Sequence, residues 1–235
     1  MSIKNVSFIG LGVMGYPMAG HLQNNGYNVT VYNRTTAKAE KWVNEYKGNM
    51  ANTPGEASQS SEIVFMCVGR DEDIIEVMES ESGILSKVSE GTIIVDHTTA
   101  SAEIARNYYN KLKDKKFSFL DAPVSGGQAG AENGVLSIMI GGDEKDYNTV
   151  KPVLTSYGKA VELIGPSGSG QIAKMINQIC IAGLVQGLSE AMAFGKKSNV
   201  DMEKVLSVIS KGAAQSWQME NRYRTMLDGK FDYGF

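Results

Sequence analysis

The run Val6-Ser-Phe-Ile9 passes without a break into Gly10-Leu-Gly-Val-Met-Gly15, and an amphipathic stretch, Met14–Asn25, begins inside that glycine turn. A β-rich run, a G-x-G-x-x-G turn and a helix in this order leave few folds open. Gly10 permits a tight turn, Gly12 lets a pyrophosphate approach the backbone, and Gly15 lets helix and strand pack closely. The unpaired N–H groups at the helix N-terminus and its partial positive charge suit phosphate. Gly10, Leu11, Gly12, Val13, Met14 and Gly15 are therefore the candidate dinucleotide cradle.

The same alternation continues down the chain. Apolar runs at Val29–Tyr32, Ile63–Val68, Ile93–Val95, Phe117–Leu120, Leu136–Ile140 and Ala160–Ile164 are separated by helix-like stretches at Ala37–Tyr46, Asp73–Met78, Ala102–Leu112 and Glu144–Leu154. Short strands alternating with helices predict an α/β fold with a doubly wound, mainly parallel sheet. Ile63–Val68 has no polar alternation, as a strand covered on both faces requires. Asp71 or Asp73 can cap the helix that follows it, and Ser101 the next. The Gly/Pro/Ser run 164–170 breaks the pattern, and beyond it only helices are predicted, at Gln171–Lys197, Met202–Ser210 and Ser216–Leu227. The domains are placed at 1–164 and 165–235. The first of the late helices is apolar almost all round, which predicts burial.

Composition narrows the function classes. Twenty-six acidic and 23 basic residues give a net charge of −3, unlike the basic footprint of a nucleic-acid binder. Only Cys67 and Cys180 occur, so no disulfide framework is expected and a cytoplasmic setting fits. The N-terminus reads as a strand, not a signal peptide. Lys174, Asn177, Gln178, Gln186 and Glu190 interrupt the apolar run 172–194 and argue against a membrane span. His21 and His97 lack partners at metal spacing, so no metal is expected. Cys67 and methionines such as Met175, Met192 and Met202 read as packing.

Cofactor choice turns on the end of the second strand, Val31-Tyr-Asn-Arg-Thr35. A carboxylate there would accept from a ribose 2′-OH, but none is present. Arg34 offers a fork of donors for a 2′-phosphate, with Asn33 and Thr35 as further hydrogen-bonding groups. NADP is the predicted cofactor, with NAD as the alternative. Val68 and Thr99 lie on loops at strand C-termini, where open α/β sheets bind ligands.

Two segments carry candidate chemistry. Ser125, Gly126 and Gly127 form a small-residue loop whose hydroxyl and outward N–H groups suit a carboxylate. Lys174 opens the long apolar helix, with Asn177 at i+3 and Gln178 at i+4 on the same face. Desolvation makes a lysine ammonium readier to release a proton, so Lys174 is the candidate general acid/base toward a carbonyl oxygen.

Four segments together, Phe8–Ala19, Asn33–Thr35, Asp121–Gly127 with Gly141-Gly142, and Gly168–Gln178, resemble the β-hydroxyacid dehydrogenase family. The resemblance implies a Rossmann domain followed by an all-helical domain that makes a homo-oligomer, a dimer or tetramer. It implies NAD(P)-dependent interconversion of a short β-hydroxyacid and its semialdehyde or keto acid. Lys174 matches the family's catalytic lysine, Ser125, Gly126 and Gly127 its carboxylate-binding residues, Thr99 a cofactor contact and Phe235 a further one. Asn177 and Gln178 resemble the tartronate semialdehyde reductase pattern, and the absence of a His–Asn pair argues against 6-phosphogluconate. Family members continue for several more helices, which implies an incomplete helical domain here. A non-catalytic dinucleotide-binding or oligomerisation module and an imine reductase are the alternatives.

Overall fold

The computed structural model describes residues 3–231. Six parallel strands come first. β1 (Asn5–Ile9) leads through the glycine turn to α1 (Gly15–Asn24), then β2 (Asn28–Tyr32), α2 (Thr36–Tyr46), β3 (Asn49–Met50), α3 (Pro54–Ser58) and β4 (Ile63–Met66). After these come α4 (Asp71–Glu79), β5 (Ile93–Asp96), α5 (Ala102–Lys113) and β6 (Ser118–Asp121). Their order in the sheet is β3-β2-β1-β4-β5-β6, the dinucleotide-binding order. The chain then forms β7 (Val124–Ser125), α6 (Gly127–Glu132), β8 (Leu136–Gly141), α7 (Glu144–Leu154) and β9 (Gly158–Gly165). β8 runs antiparallel to β6 and β7, and β9 runs parallel to β8.

Side chains alternate across the sheet and build one core on each face. Phe8 joins Leu22, Trp42, Phe65 and Leu120 on one side. Its neighbour Ile9 joins Met66, Ile74, Ile104 and Leu112 on the other. All four residues of β4 are buried, as its continuous apolar run requires.

Four short elements have no periodic signal: β3 and β7 have two residues each, and α3 and α6 have five and six. The capping expectation is half right. Ser101 accepts from the Ile104 N–H, but α4 is preceded by Arg70 with no side-chain cap. Asp71 instead accepts from the Ser101 N–H at 2.9 Å and from its hydroxyl, tying the starts of two helices together.

Three helices follow: α8 (Ser169–Lys197), α9 (Met202–Ile209) and α10 (Trp217–Leu227). The chain divides into two compact units, Met1–Lys174 and Met175–Phe235, so the break falls within α8. In the second unit Leu188, Met192, Met202, Leu206 and Met219 form a small core. The expected burial of α8 is not found. Met175, Ile176, Ile179 and Phe194 are exposed, Ile179 to 72% and Phe194 to 74%, because α9 and α10 supply partners only for residues such as Leu188 and Met192. Nor do its polar interruptions exclude a span by composition. The helix is 29 residues long and contains an 18-residue stretch of mean hydropathy 1.2, so by length and composition it could cross a membrane, since most of those interruptions are uncharged amides.

Candidate active site

The loops leaving β1, β4, β5 and β6 all open at the C-terminal edge of the sheet. Gly10, at φ +96°, donates its N–H to the Tyr32 carbonyl at 2.9 Å. A Cβ there would strike the Cys67 carbonyl, so only glycine lets the turn pass beside β4. At Gly15 a Cβ would meet the Gly10 carbonyl and the Phe8 ring, which explains the close packing of α1 on β1. Gly12 differs: it is exposed, and nothing lies within 4 Å of its Cβ position. That open space above the start of α1 fits a pyrophosphate, with Val13 exposed beside it and Leu11 buried below.

Asn33 has a role that its position as a ribose-side candidate did not suggest. Its Oδ1 accepts from the Leu11 N–H at 2.9 Å, and its Nδ2 donates to the Thr35 carbonyl at 3.0 Å. The side chain thus pins the glycine turn to the end of β2. Arg34 and Thr35 beside it are exposed.

The β4 and β5 loops are joined. Val68 donates its N–H to Thr98 Oγ1 at 3.0 Å, and Thr98 donates its own N–H to Asp96 Oδ1 at 2.9 Å. Asp96 is fully buried, and burial pushes its carboxyl up to about 7. His97 is equally buried, and burial pushes it down to about 4. Its Nδ1 lies 2.6 Å from the Ala122 carbonyl, which can only accept, so Nδ1 carries the proton. Nε2 therefore accepts from the Tyr157 hydroxyl at 2.8 Å. Phe65 stacks on the ring, so His97 is a neutral structural group. Cys67 next to the turn is held as a thiol, pushed up to about 12 by burial. Thr99 projects from this network and is exposed.

At the end of β6, Asp121 is buried and holds the start of α8. Its Oδ1 accepts from the Gly168 N–H at 2.7 Å and its Oδ2 from the Gln171 N–H at 3.0 Å. A carboxylate at a helix N-terminus is favourably placed in the helix dipole. Burial still raises its pKa, against the lowering effect of these backbone bonds. Three residues later, the Val124 carbonyl accepts from Lys174 Nζ at 2.8 Å. Lys174 is half-buried, and desolvation lowers its pKa. Ser125 ends β7, while Gly126 and Gly127 follow at φ +142° and +61°, both exposed. The structure thus brings Lys174 to the same loop that carries Ser125, Gly126 and Gly127.

Asn177 and Gln178 belong to the second unit, where Asn177 Nδ2 donates to Gln178 Oε1 at 2.9 Å. Phe235 lies outside the described residues. Among the described residues no cluster of His, Cys, Asp or Glu could hold a metal ion. Sequence reasoning missed Asp96, Asp121 and Gln171. Asp96 and Asp121 each stand at a strand C-terminus, and Gln171 lies one helical turn before Lys174, which are the signals that could have found them.

Two family models match: the NAD-binding domain of 6-phosphogluconate dehydrogenase over residues 5–165, and the NAD-binding domain of NADP-dependent 3-hydroxyisobutyrate dehydrogenase over residues 168–235. The chain belongs to the β-hydroxyacid dehydrogenase family. As a β-hydroxyacid dehydrogenase it binds NAD(P), and its activity is that of an NAD(P)-dependent hydroxyacid dehydrogenase. An uncharacterized oxidoreductase of Shewanella frigidimarina is 58% identical over 99% of this chain and 80% of its own length. The 2-hydroxy-3-oxopropionate reductase of Escherichia coli is 34% identical over 98% of this chain and 78% of its own. Among solved structures, the Mycobacterium tuberculosis 3-hydroxyisobutyrate dehydrogenase with L-serine aligns over all of this chain and 81% of its own, at TM-score 0.88 and 25% identity.

Proposed function

We propose that this β-hydroxyacid dehydrogenase is an NADPH-preferring enzyme for a three- or four-carbon acid bearing a β- or γ-carbonyl or hydroxyl, with Lys174 as general acid/base. The observation that carries the reading is the desolvated Lys174 amine, bonded to Val124 next to the Ser125-Gly126-Gly127 turn.

When bound, the nicotinamide supplies or accepts the hydride. Lys174 does the proton work: in reduction Nζ gives a proton to the carbonyl oxygen as the alcohol forms, and solvent then reprotonates the amine. In oxidation the neutral amine takes the hydroxyl proton. The Ser125 hydroxyl and the N–H groups of Gly126 and Gly127 grip the carboxylate, which fixes the carbonyl near Nζ. Gly10 through Gly15 hold the pyrophosphate, Val68 and Thr99 flank the cofactor, and Arg34 with Thr35 receives the 2′-phosphate. A dinucleotide-binding domain at 1–164, a helical domain at 165–235, a homo-oligomeric state and a cytoplasmic setting complete the reading.

Oxidation of NADPH with succinic semialdehyde, glyoxylate, methylmalonate semialdehyde and tartronate semialdehyde tests it. Turnover of at least one is expected. Tight NADPH binding with no turnover on any would favour a non-catalytic dinucleotide-binding protein instead.

A further inference from the structure

Gln171 is 1% exposed, and both ends of its carboxamide are engaged. Nε2 donates to the Thr98 carbonyl at 2.7 Å, and Oε1 accepts from the Ala100 N–H at 3.1 Å. The two bonds straddle Thr99 and leave it the exposed member of the loop. One helical turn further along α8 stands Lys174. Successive turns of one helix therefore hold two strand ends. The loop after β5 is bonded to Gln171, and the loop after β6 is bonded through Asp121 to the Gln171 N–H and through Val124 to Lys174.

We propose that Gln171 is a positioning residue that clamps the Thr98–Ala100 loop to the helical turn carrying Lys174, and so sets the spacing between the cofactor side of the site and its proton donor. The inference rests on the role given to Lys174 and Thr99 above. An apolar residue of similar size would fill the same space, but it would leave the Thr98 carbonyl and the Ala100 N–H unpaired and the loop free to shift. Gln171 touches no reacting atom, so its loss should act on kcat more than on cofactor affinity.

The test compares Gln171→Met and Gln171→Glu in the full chain. A protonated glutamic acid reproduces the amide: its hydroxyl donates to the Thr98 carbonyl, and its carbonyl oxygen accepts from the Ala100 N–H. The ionised form has no hydrogen to give and faces the Thr98 oxygen with like polarity. Asp121, bonded to the Gln171 N–H, and Asp96 raise the titration of such a carboxyl, while Lys174, one turn on, and Arg106, which lies beside Gly168, lower it. Gln171→Met is expected to lower kcat about 30-fold at every pH, with the NADPH Kd changed less than threefold. In reduction, Gln171→Glu should approach wild-type kcat at low pH and lose it as pH rises, in a limb that lies below the Lys174 limb of the wild type and while the variant stays folded at the assay temperature.

Amide exchange at Ala100, measured without cofactor, should be slow in wild type and at least tenfold faster in Gln171→Met. Should that variant fail to fold, Gln171→Glu compared with itself across pH carries both readouts. A Gln171→Met kcat within twofold of wild type, a wild-type pH profile in Gln171→Glu, unchanged Ala100 exchange, or activity lost only where the variant is unfolded at the assay temperature would each overturn the clamp. A wild type inactive on every short acid overturns the parent reading instead, and Ala100 exchange then decides the clamp by itself.

Discussion

The side-chain amine of Lys174 donates to the main-chain carbonyl of Val124 at 2.8 Å. One of its three hydrogens is thereby fixed, leaving two for other acceptors. The bond orients the amine without neutralising it, and desolvation lowers its pKa from the usual lysine value.

The two reaction directions should respond oppositely to pH. Reduction needs the ammonium, so kcat/KM for a semialdehyde falls as pH rises through the Lys174 pKa. Oxidation needs the free amine, so kcat/KM for the hydroxyacid rises through the same value. Both midpoints should lie below 10.5, because burial disfavours the charged form. Parallel profiles in the two directions would count against Lys174 as the titrating group.

Gly10 and Gly12 should separate folding from binding. Gly12→Ala meets open space and should leave Tm within a few degrees of wild type, while weakening NADPH at least tenfold by filling the phosphate approach. Gly10→Ala forces a Cβ onto the Cys67 carbonyl at positive φ, and should cost on the order of 1–3 kcal/mol of stability. Thermal melts and fluorescence titration with NADPH measure both; equal Tm losses would refute the distinction.

Arg34→Asp should reverse cofactor choice. Charge-assisted bonds contribute about 1.5–3 kcal/mol, so the NADP/NAD ratio of kcat/KM should fall roughly 10- to 100-fold. An unaltered ratio would take the 2′-phosphate away from Arg34.

Asp96 and His97 should bend the stability curve in opposite senses. His97, held near 4 against about 6.5 when unfolded, refuses a proton that the unfolded chain accepts, so its contribution is lost as pH falls across that interval. Asp96, held near 7 against about 3.9 unfolded, keeps a proton that the unfolded chain releases, so its contribution is lost as pH rises toward 7. Asp96→Asn removes the second effect. The stability of this variant minus that of wild type, from urea unfolding, should climb between pH 4 and 7 by at most about 1.4 kcal/mol per unit. A flat difference would show that Asp96 ionises normally.

Much of this fold is written in local pattern. The glycine turn, the apolar run of β4 and the helix starting at Ala102 are one-dimensional signals, and each element formed where its period predicts. The two-residue strands β3 and β7 carry no period, since they exist only because a neighbouring strand offers a register. Lys174 and the Ser125-Gly126-Gly127 loop were legible as residue types, but the Val124 bond that joins them spans 50 positions. Asn33 shows the limit from the other side. Its amide suits a ribose or phosphate in isolation, and the structure binds it to Leu11. For α8, the apolar composition predicts a buried helix, whereas among the described residues the cover reaches only a few of its side chains.

The most direct test is the kcat of Lys174→Ala on the best semialdehyde, measured at saturating NADPH beside the NADPH Kd. Loss of a positioned general acid predicts a fall of about 10²- to 10⁴-fold with the Kd changed less than threefold. A variant that turns over at the wild-type rate would contradict the account.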